Sequence, residues 1–175
     1  VAIIGGGDGG AARECLRYPS VAELHVVELD EAVVQATSQY FPLLARSLRD
    51  PRVQLHICPG LDFICSQAAE SFDLVLIDAT AESLITADCY AQVHRILRPA
   101  GLVMAQSHSP RIREDIFRTI VHSQQEVFGQ QKVWPSLAWV STHPSGMWSF
   151  SMAGREDSPC PENLNKQSAE QFSQS

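Results

Sequence analysis

A run of glycines around one carboxylate is the first part of the chain that could do chemistry. Four apolar residues at positions 1–4 precede five glycines that surround Asp8. The apolar run predicts a buried strand, and the glycines predict a tight turn that lets a ligand approach the backbone. The spacing of Gly5, Gly7 and Gly10 also fits a dinucleotide-binding loop. Asp8 stands where a pyrophosphate would lie, however, so its negative charge favours a ligand whose reactive end is positive.

Three further polar residues stand at the ends of predicted strands. Glu28 ends the strand at residues 23–28, where a carboxylate can accept both hydroxyls of a ribose, or can cap the next helix. Asp78 follows a continuous apolar run and suits a general base or a site for an ammonium group; it could also cap the next turn. Gln106 could bond a substrate amine or be an ordinary strand-end residue.

The elements that must position these groups alternate between strand and helix patterns. Strands are predicted at residues 1–4, 23–28, 53–58, 72–78 and 102–106, helices at 11–18, 30–46, 61–69, 88–97 and 111–128, and a late strand pair at 132–142 and 148–153. This order predicts an α/β fold, an open and mostly parallel seven-stranded sheet with helices on both faces. Such sheets bind ligands at the carboxyl ends of their strands, so we expect Asp8 and Asp78 on one rim.

Composition narrows the class of partner. The chain has 175 residues, a hydrophobic fraction of 45% and a net charge of −7, and its basic residues are few and scattered. We therefore expect no nucleic acid and no membrane as partner. Five cysteines without a close pair indicate reduced thiols in a cytoplasmic protein, and six histidines without ligand spacing predict no metal site. The aromatic residues of the late strands are expected in the core: Trp134, Trp139, Trp148 and Phe150.

The ends of the chain differ in character from its middle. We expect one nucleoside-binding domain over residues 1–153. Residues 154–175 are rich in Ser, Gln, Asn, Glu and Pro, which predicts a disordered tail or a truncated connector. The first residue already lies in a predicted central strand, so an N-terminal portion is expected to be missing.

Six motifs in order resemble the polyamine aminopropyltransferases, spermidine synthase and its relatives. They are the glycine loop VAIIGGGDGG at 1–10, VVELD at 26–30, DPRV at 50–53, FDLVLID at 72–78, LRPAG with AQS at 97–107, and PSGMWSF at 144–150. The resemblance implies the Rossmann fold of S-adenosylmethionine-dependent methyltransferases, with the N-terminal β-domain of the family missing here. It also implies a homodimer in the full-length protein and a role in spermidine biosynthesis.

The resemblance implies a reaction and assigns residues to it. An aminopropyl group would pass from decarboxylated S-adenosylmethionine, a co-substrate and not a permanently bound cofactor, to a diamine or polyamine such as putrescine. Asp78 is the expected catalytic residue. The nucleoside is expected at Gly5, Gly7, Asp8, Gly9, Glu28, Asp30, Gly60, Asp78 and Ala79, and the small-molecule amine at Asp8, Asp78, Glu82, Gln106 and His143.

The chain departs from the family pattern at three positions. Pro59 replaces the acid that contacts the adenine, Ala81 replaces a second acid, and His143 replaces a tyrosine. Each lost acid removes a charge-assisted hydrogen bond worth about 1.5–3 kcal/mol. Three other functions stay open. The lost acids favour a non-catalytic paralogue that binds a nucleoside or a protein partner. The others are a small-molecule methyltransferase and a dinucleotide-dependent oxidoreductase, and Asp8 argues against the oxidoreductase.

Overall fold

A seven-stranded sheet forms the centre of the computed structural model, which describes residues 1–79, 81–142 and 146–159. The strands in chain order are β1 (Ala2–Ile4), β2 (Leu24–Glu28), β3 (Val53–Ile57), β4 (Phe72–Ile77), β5 (Leu97–Gln106), β6 (Val133–Trp139) and β7 (Met147–Gly154). Their spatial order is β3-β2-β1-β4-β5-β7-β6, and β7 alone runs in the direction opposite to the other six. The predicted open, mostly parallel sheet is confirmed.

Helices cover the sheet on both faces. They are α1 (Gly10–Leu16), α2 (Glu31–Tyr40), α3 (Pro42–Ala45), α4 (Gly60–Ser66), α5 (Ala87–Ile96) and α6 (Glu114–Phe128), with short 3-10 turns at Arg46–Arg49, Glu82–Leu84 and Gln130–Lys132. Ile4 belongs to a large core with residues of α4, α5 and α6, whereas its neighbour Ile3 packs with α1. This division follows from the strand, in which successive side chains point to opposite faces.

The single helix predicted over residues 30–46 is wrong. Helix α2 ends at Tyr40, Phe41 leaves the helical conformation, and α3 begins at Pro42. Proline has no N–H to donate to the preceding turn, and its ring collides with the backbone there, so a helix cannot continue through it. Three large side chains at this break are well exposed: Tyr40, Phe41 and Leu43.

Several other boundaries also differ from the prediction, and the contacts explain some of them. Strand β5 begins at Leu97 rather than at residue 102, because Leu97 already pairs with Phe72 of β4 before a register shift. Helix α6 begins at Glu114 rather than at residue 111, since the N–H groups of Ile112 and Arg113 close turns onto Ser109 instead. Strand β6 spans Val133–Trp139, shorter than the predicted 132–142.

The late strands do not bury all their aromatic residues. Trp139 is 73% exposed, so its predicted place in the core is wrong. It lies at the end of β6, which has a neighbour on one side only among the described strands, and a Cβ on Gly146 would collide with its indole ring. Trp134, Trp148 and Phe150 are half-buried.

Candidate active site

Backbone hydrogen bonds bring the loops after the central strands to one edge of the sheet. The N–H of Gly5 donates to Val27 of β2 at 2.8 Å, and the N–H of Asp78 donates to Ile4 of β1 at 2.8 Å. The N–H of Cys58 donates to Glu28 at 3.0 Å. The glycine loop and the ends of β2, β3 and β4 are therefore adjacent, and the residues that the sequence singled out after each strand share this edge.

The glycine loop touches the backbone of the strand that leads to Asp78. Gly5 has a φ of +77°, and a Cβ placed on it would lie 2.7 Å from the backbone oxygen of Asp78 and 3.1 Å from the Cβ of Ala79. Only a residue without a side chain allows this approach in this conformation. The loop thus lies directly against Asp78.

The pKa of the Asp78 carboxyl depends on its burial and on the charge of Asp8. Burial raises the pKa of the Asp78 carboxyl, and the negative charge of Asp8 raises it further. Asp8 itself is exposed, and its carboxylate accepts from the N–H of Gly10 at 2.9 Å at the start of α1. Two neighbouring acids that repel each other favour a positively charged ligand, which relieves the repulsion.

A small cavity joins Asp78 to the end of β5. Its volume is about 130 Å³, and its walls are Ala11, Leu76, Ile77, Asp78, Met104, Gln106 and Phe150. Most of these walls are apolar, and Asp78 and Gln106 are the lining residues with polar side chains. The structure therefore brings the expected catalytic residue and one expected acceptor residue to the same cavity.

The carboxylate of Glu28 accepts hydrogen bonds from four backbone N–H groups. One carboxylate oxygen accepts from Gly7 at 3.0 Å and from Gly6 at 3.4 Å, and the other accepts from Leu29 at 2.8 Å and Asp30 at 3.0 Å. The side chain thus ties the glycine loop to the end of β2. A ribose would have to take over some of these bonds, and the ribose role of Glu28 stays a prediction.

Asp30 serves the helix that follows. Its carboxylate accepts from the N–H of Ala32 at 2.9 Å, which makes it the N-cap of α2. The capping role that the sequence left open for Glu28 therefore belongs to Asp30, two residues later. Its assignment to the nucleoside stays a prediction.

The end of β3 carries no acid. Pro59 precedes α4 without a side-chain cap, and Gly60 is the first residue of that helix. A Cβ on Gly60 would collide with the Cγ2 of Ile4, so the glycine lets α4 begin close against β1. Burial raises the pKa of the neighbouring Cys58 thiol. At Pro59, where the resemblance implies an acid, the side chain is a ring without a hydrogen-bonding group.

The residues that follow Asp78 in the chain differ in their exposure to solvent. Ala79 is half-buried beside Gly5, whereas Ala81 and Glu82 are exposed. Glu82 opens the short 3-10 turn Glu82–Leu84 and does not line the cavity of Asp78. The assignment of Glu82 to the amine stays a prediction. His143 lies outside the described residues.

Sequence reasoning missed the partner of Gln106. The indole Nε1–H of Trp148 donates to Oε1 of Gln106 at 3.2 Å, across the pairing of β5 with β7. The ring of Trp148 also contacts His108, with 5.0 Å between ring centroids and 48° between planes. The only available signal was the alternation of aromatic residues in the late strands, and that pattern does not identify a partner.

A family model for the spermine/spermidine synthase domain matches residues 1–163. The chain belongs to this family. Among curated relatives, a polyamine aminopropyltransferase of Caldicellulosiruptor saccharolyticus is 33% identical over 95% of this chain and 60% of its own length. One of Prochlorococcus marinus is 38% identical over 87% of this chain and 55% of its own length.

Solved structures of the family share the fold. A spermidine synthase in complex with the transition-state analogue AdoDATO superposes with a TM-score of 0.83 at 29% identity, covering 91% of this chain and 54% of that one. The spermidine synthase of Thermotoga maritima gives a TM-score of 0.85 at 30% identity, covering 91% and 55%. The sheet and helices are therefore those of the methyltransferase-like fold of spermidine synthase. This chain spans just over half the length of these structures.

Proposed function

We propose that the protein containing this chain transfers an aminopropyl group from decarboxylated S-adenosylmethionine to a diamine or polyamine. Membership of the spermine/spermidine synthase family supports the reaction class. The observation that carries the proposal is Asp78, whose carboxyl has a raised pKa and which lines one cavity with Gln106 and lies against the glycine loop. Amines and sulfonium ions are cations, and this edge of the sheet presents carboxylates to them.

The acids suggest a division of labour. Glu28 would accept the ribose hydroxyls, and Asp8 would hold the ammonium of the aminopropyl arm. The acceptor amine arrives protonated, because an alkyl amine has a pKa of about 10.4. Asp78 would accept its proton, a task that suits a carboxyl whose pKa burial has raised.

The transfer itself needs alignment more than further chemistry. The amine nitrogen attacks the methylene next to the sulfonium, a carbon–nitrogen bond forms, and the carbon–sulfur bond breaks. The bonding electrons go to sulfur, so methylthioadenosine leaves uncharged and the released proton goes to Asp78. Most of the rate would come from holding nitrogen and carbon in line, as in other displacements on bound substrates.

Further features of the proposal concern the whole protein. Putrescine as acceptor, and spermidine as product, are the simplest substrate and product of this chemistry. We also propose that the full-length protein is a homodimer and that it lies in the cytoplasm. Within the described residues, no helix is both long and apolar enough to cross a membrane.

A second candidate is a non-catalytic relative that binds a nucleoside or a protein partner. The absence of hydrogen-bonding side chains at Pro59 and Ala81 favours it, because both positions carry acids in the family pattern. Such a protein would keep the glycine loop and Glu28, which serve binding, while losing turnover.

Turnover by the full-length protein separates these functions. The protein is mixed with decarboxylated S-adenosylmethionine and putrescine or spermidine, and methylthioadenosine is measured. Amine-dependent release that Asp78→Asn abolishes is the expected result. Asp73→Asn is the matched control, since Asp73 lies near the opposite end of β4, is well exposed and pairs with Arg98.

The remaining outcomes point to other functions. Stabilisation by methylthioadenosine without turnover of any amine would overturn the proposal and favour the non-catalytic relative. Transfer of a methyl group from ordinary S-adenosylmethionine would indicate a methyltransferase.

A further inference from the structure

The bond between Trp148 and Gln106 determines which way the amide faces. An indole nitrogen can only donate, so the group opposite it must be the amide oxygen and not the NH2. The carbonyl oxygen of Gln106 has two lone pairs, and Trp148 uses one of them. The second is left to accept an N–H. If the amide flipped, its NH2 would face the indole donor, which is unfavourable.

His108 is held in an unusual backbone conformation next to this pair. Its φ is +61°, in the left-handed region that residues other than glycine rarely adopt. Its carbonyl accepts from the backbone N–H of Ser149 at 2.8 Å and from the Ser149 hydroxyl at 2.6 Å. Such strain persists only where surrounding bonds enforce it, and it concentrates at functional sites. Here the enforced conformation places the imidazole against the indole of Trp148.

We propose that Trp148 and His108 are positioning residues for the acceptor amine. His108 restrains the indole ring, the indole holds the amide oxygen of Gln106, and that oxygen accepts an N–H from the amine beside Asp78. An amine that donates an N–H keeps its lone pair free for attack, which a flipped amide would occupy instead. The inference rests on the proposed function, because Gln106 has this role only if the protein uses an amine.

Removing one hydrogen-bond donor tests the role in the full-length protein. Trp148→Phe keeps an aromatic ring beside His108 but cannot bond Gln106. We expect the KM for the amine to rise by about 2- to 10-fold, the range of one ordinary hydrogen bond, with the KM for the nucleoside unchanged. Trp134→Phe, on the neighbouring strand β6, is the matched control and should leave both constants unchanged.

Two further variants separate positioning from a general loss of structure. In a Gln106→Ala background, Trp148→Phe should have no additional effect on the amine KM, because the pair is already broken. His108→Asn keeps a residue that tolerates the left-handed conformation but removes the ring, so it should raise the amine KM in the same direction. An unchanged amine KM in an active Trp148→Phe variant, or additive effects in the double variant, would overturn the proposal.

A measurement independent of activity keeps the two proposals distinguishable. The protein has three tryptophans in this chain, and the indole proton of Trp148 can be assigned by its disappearance in Trp148→Phe. Gln106→Leu should speed the exchange of that proton with solvent. Unchanged exchange would refute the Trp148–Gln106 pair whatever the activity. Faster exchange in a protein that turns over no amine would remove the proposed function, and with it the role in acceptor binding.

Discussion

Replacing Gly5 with alanine tests how closely the glycine loop must approach the strand that carries Asp78. The φ of +77° costs a residue with a side chain about 1–2 kcal/mol. The added Cβ would also lie 2.7 Å from the backbone oxygen of Asp78, and a backbone atom cannot yield as a flexible side chain can. Overpacking of this kind costs about 1–3 kcal/mol. We therefore expect Gly5→Ala to lower the free energy of unfolding by about 2–5 kcal/mol.

Urea unfolding of Gly5→Ala and the unchanged protein measures this loss, and for a chain of this size each kcal/mol lowers Tm by about 2–4 °C. A loss of only about 1–2 kcal/mol is what the left-handed conformation costs without any collision. Such a small loss would show that the loop does not press on Asp78 and would refute the reasoning.

Three other substitutions probe the site and its support. Because the pKa of Asp78 is raised, the folded protein binds this proton more tightly than the unfolded chain does, so unfolding free energy is lost as pH rises through the folded pKa. Asp78→Asn should remove this loss and raise Tm at neutral pH in thermal melts; a lower Tm there would contradict it. Gln124→Met leaves the buried hydroxyl of Ser151 without its acceptor and should cost about 1–3 kcal/mol in urea melts, part of which Ser151→Ala restores. Arg52→Lys should lower Tm, because a lysine cannot bond Asp50 and the backbone carbonyls of Leu16 and Val21 together. A thermal melt identical to that of the unchanged protein would count against this.

The order of strands and helices could be predicted because the residue pattern that indicates each element lies within that element. Continuous apolar runs mark strands buried on both faces, and the alternation with helical patterns gives a parallel sheet. The edge of the sheet that carries the site could be predicted too, since Asp8, Glu28 and Asp78 stand at or shortly after the ends of such strands. These residues could be identified without knowing any contact, because parallel strands end at the same edge.

What the sequence could not supply depends on distant contacts. The length of β5 is decided by the pairing of Leu97 with β4, and the partner of Gln106 lies 42 residues away on an antiparallel strand. Hydrophobic periodicity contains no information on register between strands so far apart. The break at Pro42 is different, because proline at that position was a local signal that outweighed the helical periodicity around it.

The position of β7 has a consequence for the order in which the molecule assembles. This strand comes last among the described strands, yet it lies between β5 and β6. Strand β6 is therefore synthesised before β7, its neighbour among the described strands, and it stays unpaired until residues 147–154 arrive. Bringing Gln106 and Trp148 together closes a long loop, which is among the slower events in folding. We expect the amine end of the site to be completed late, after the glycine loop and its acids have already formed.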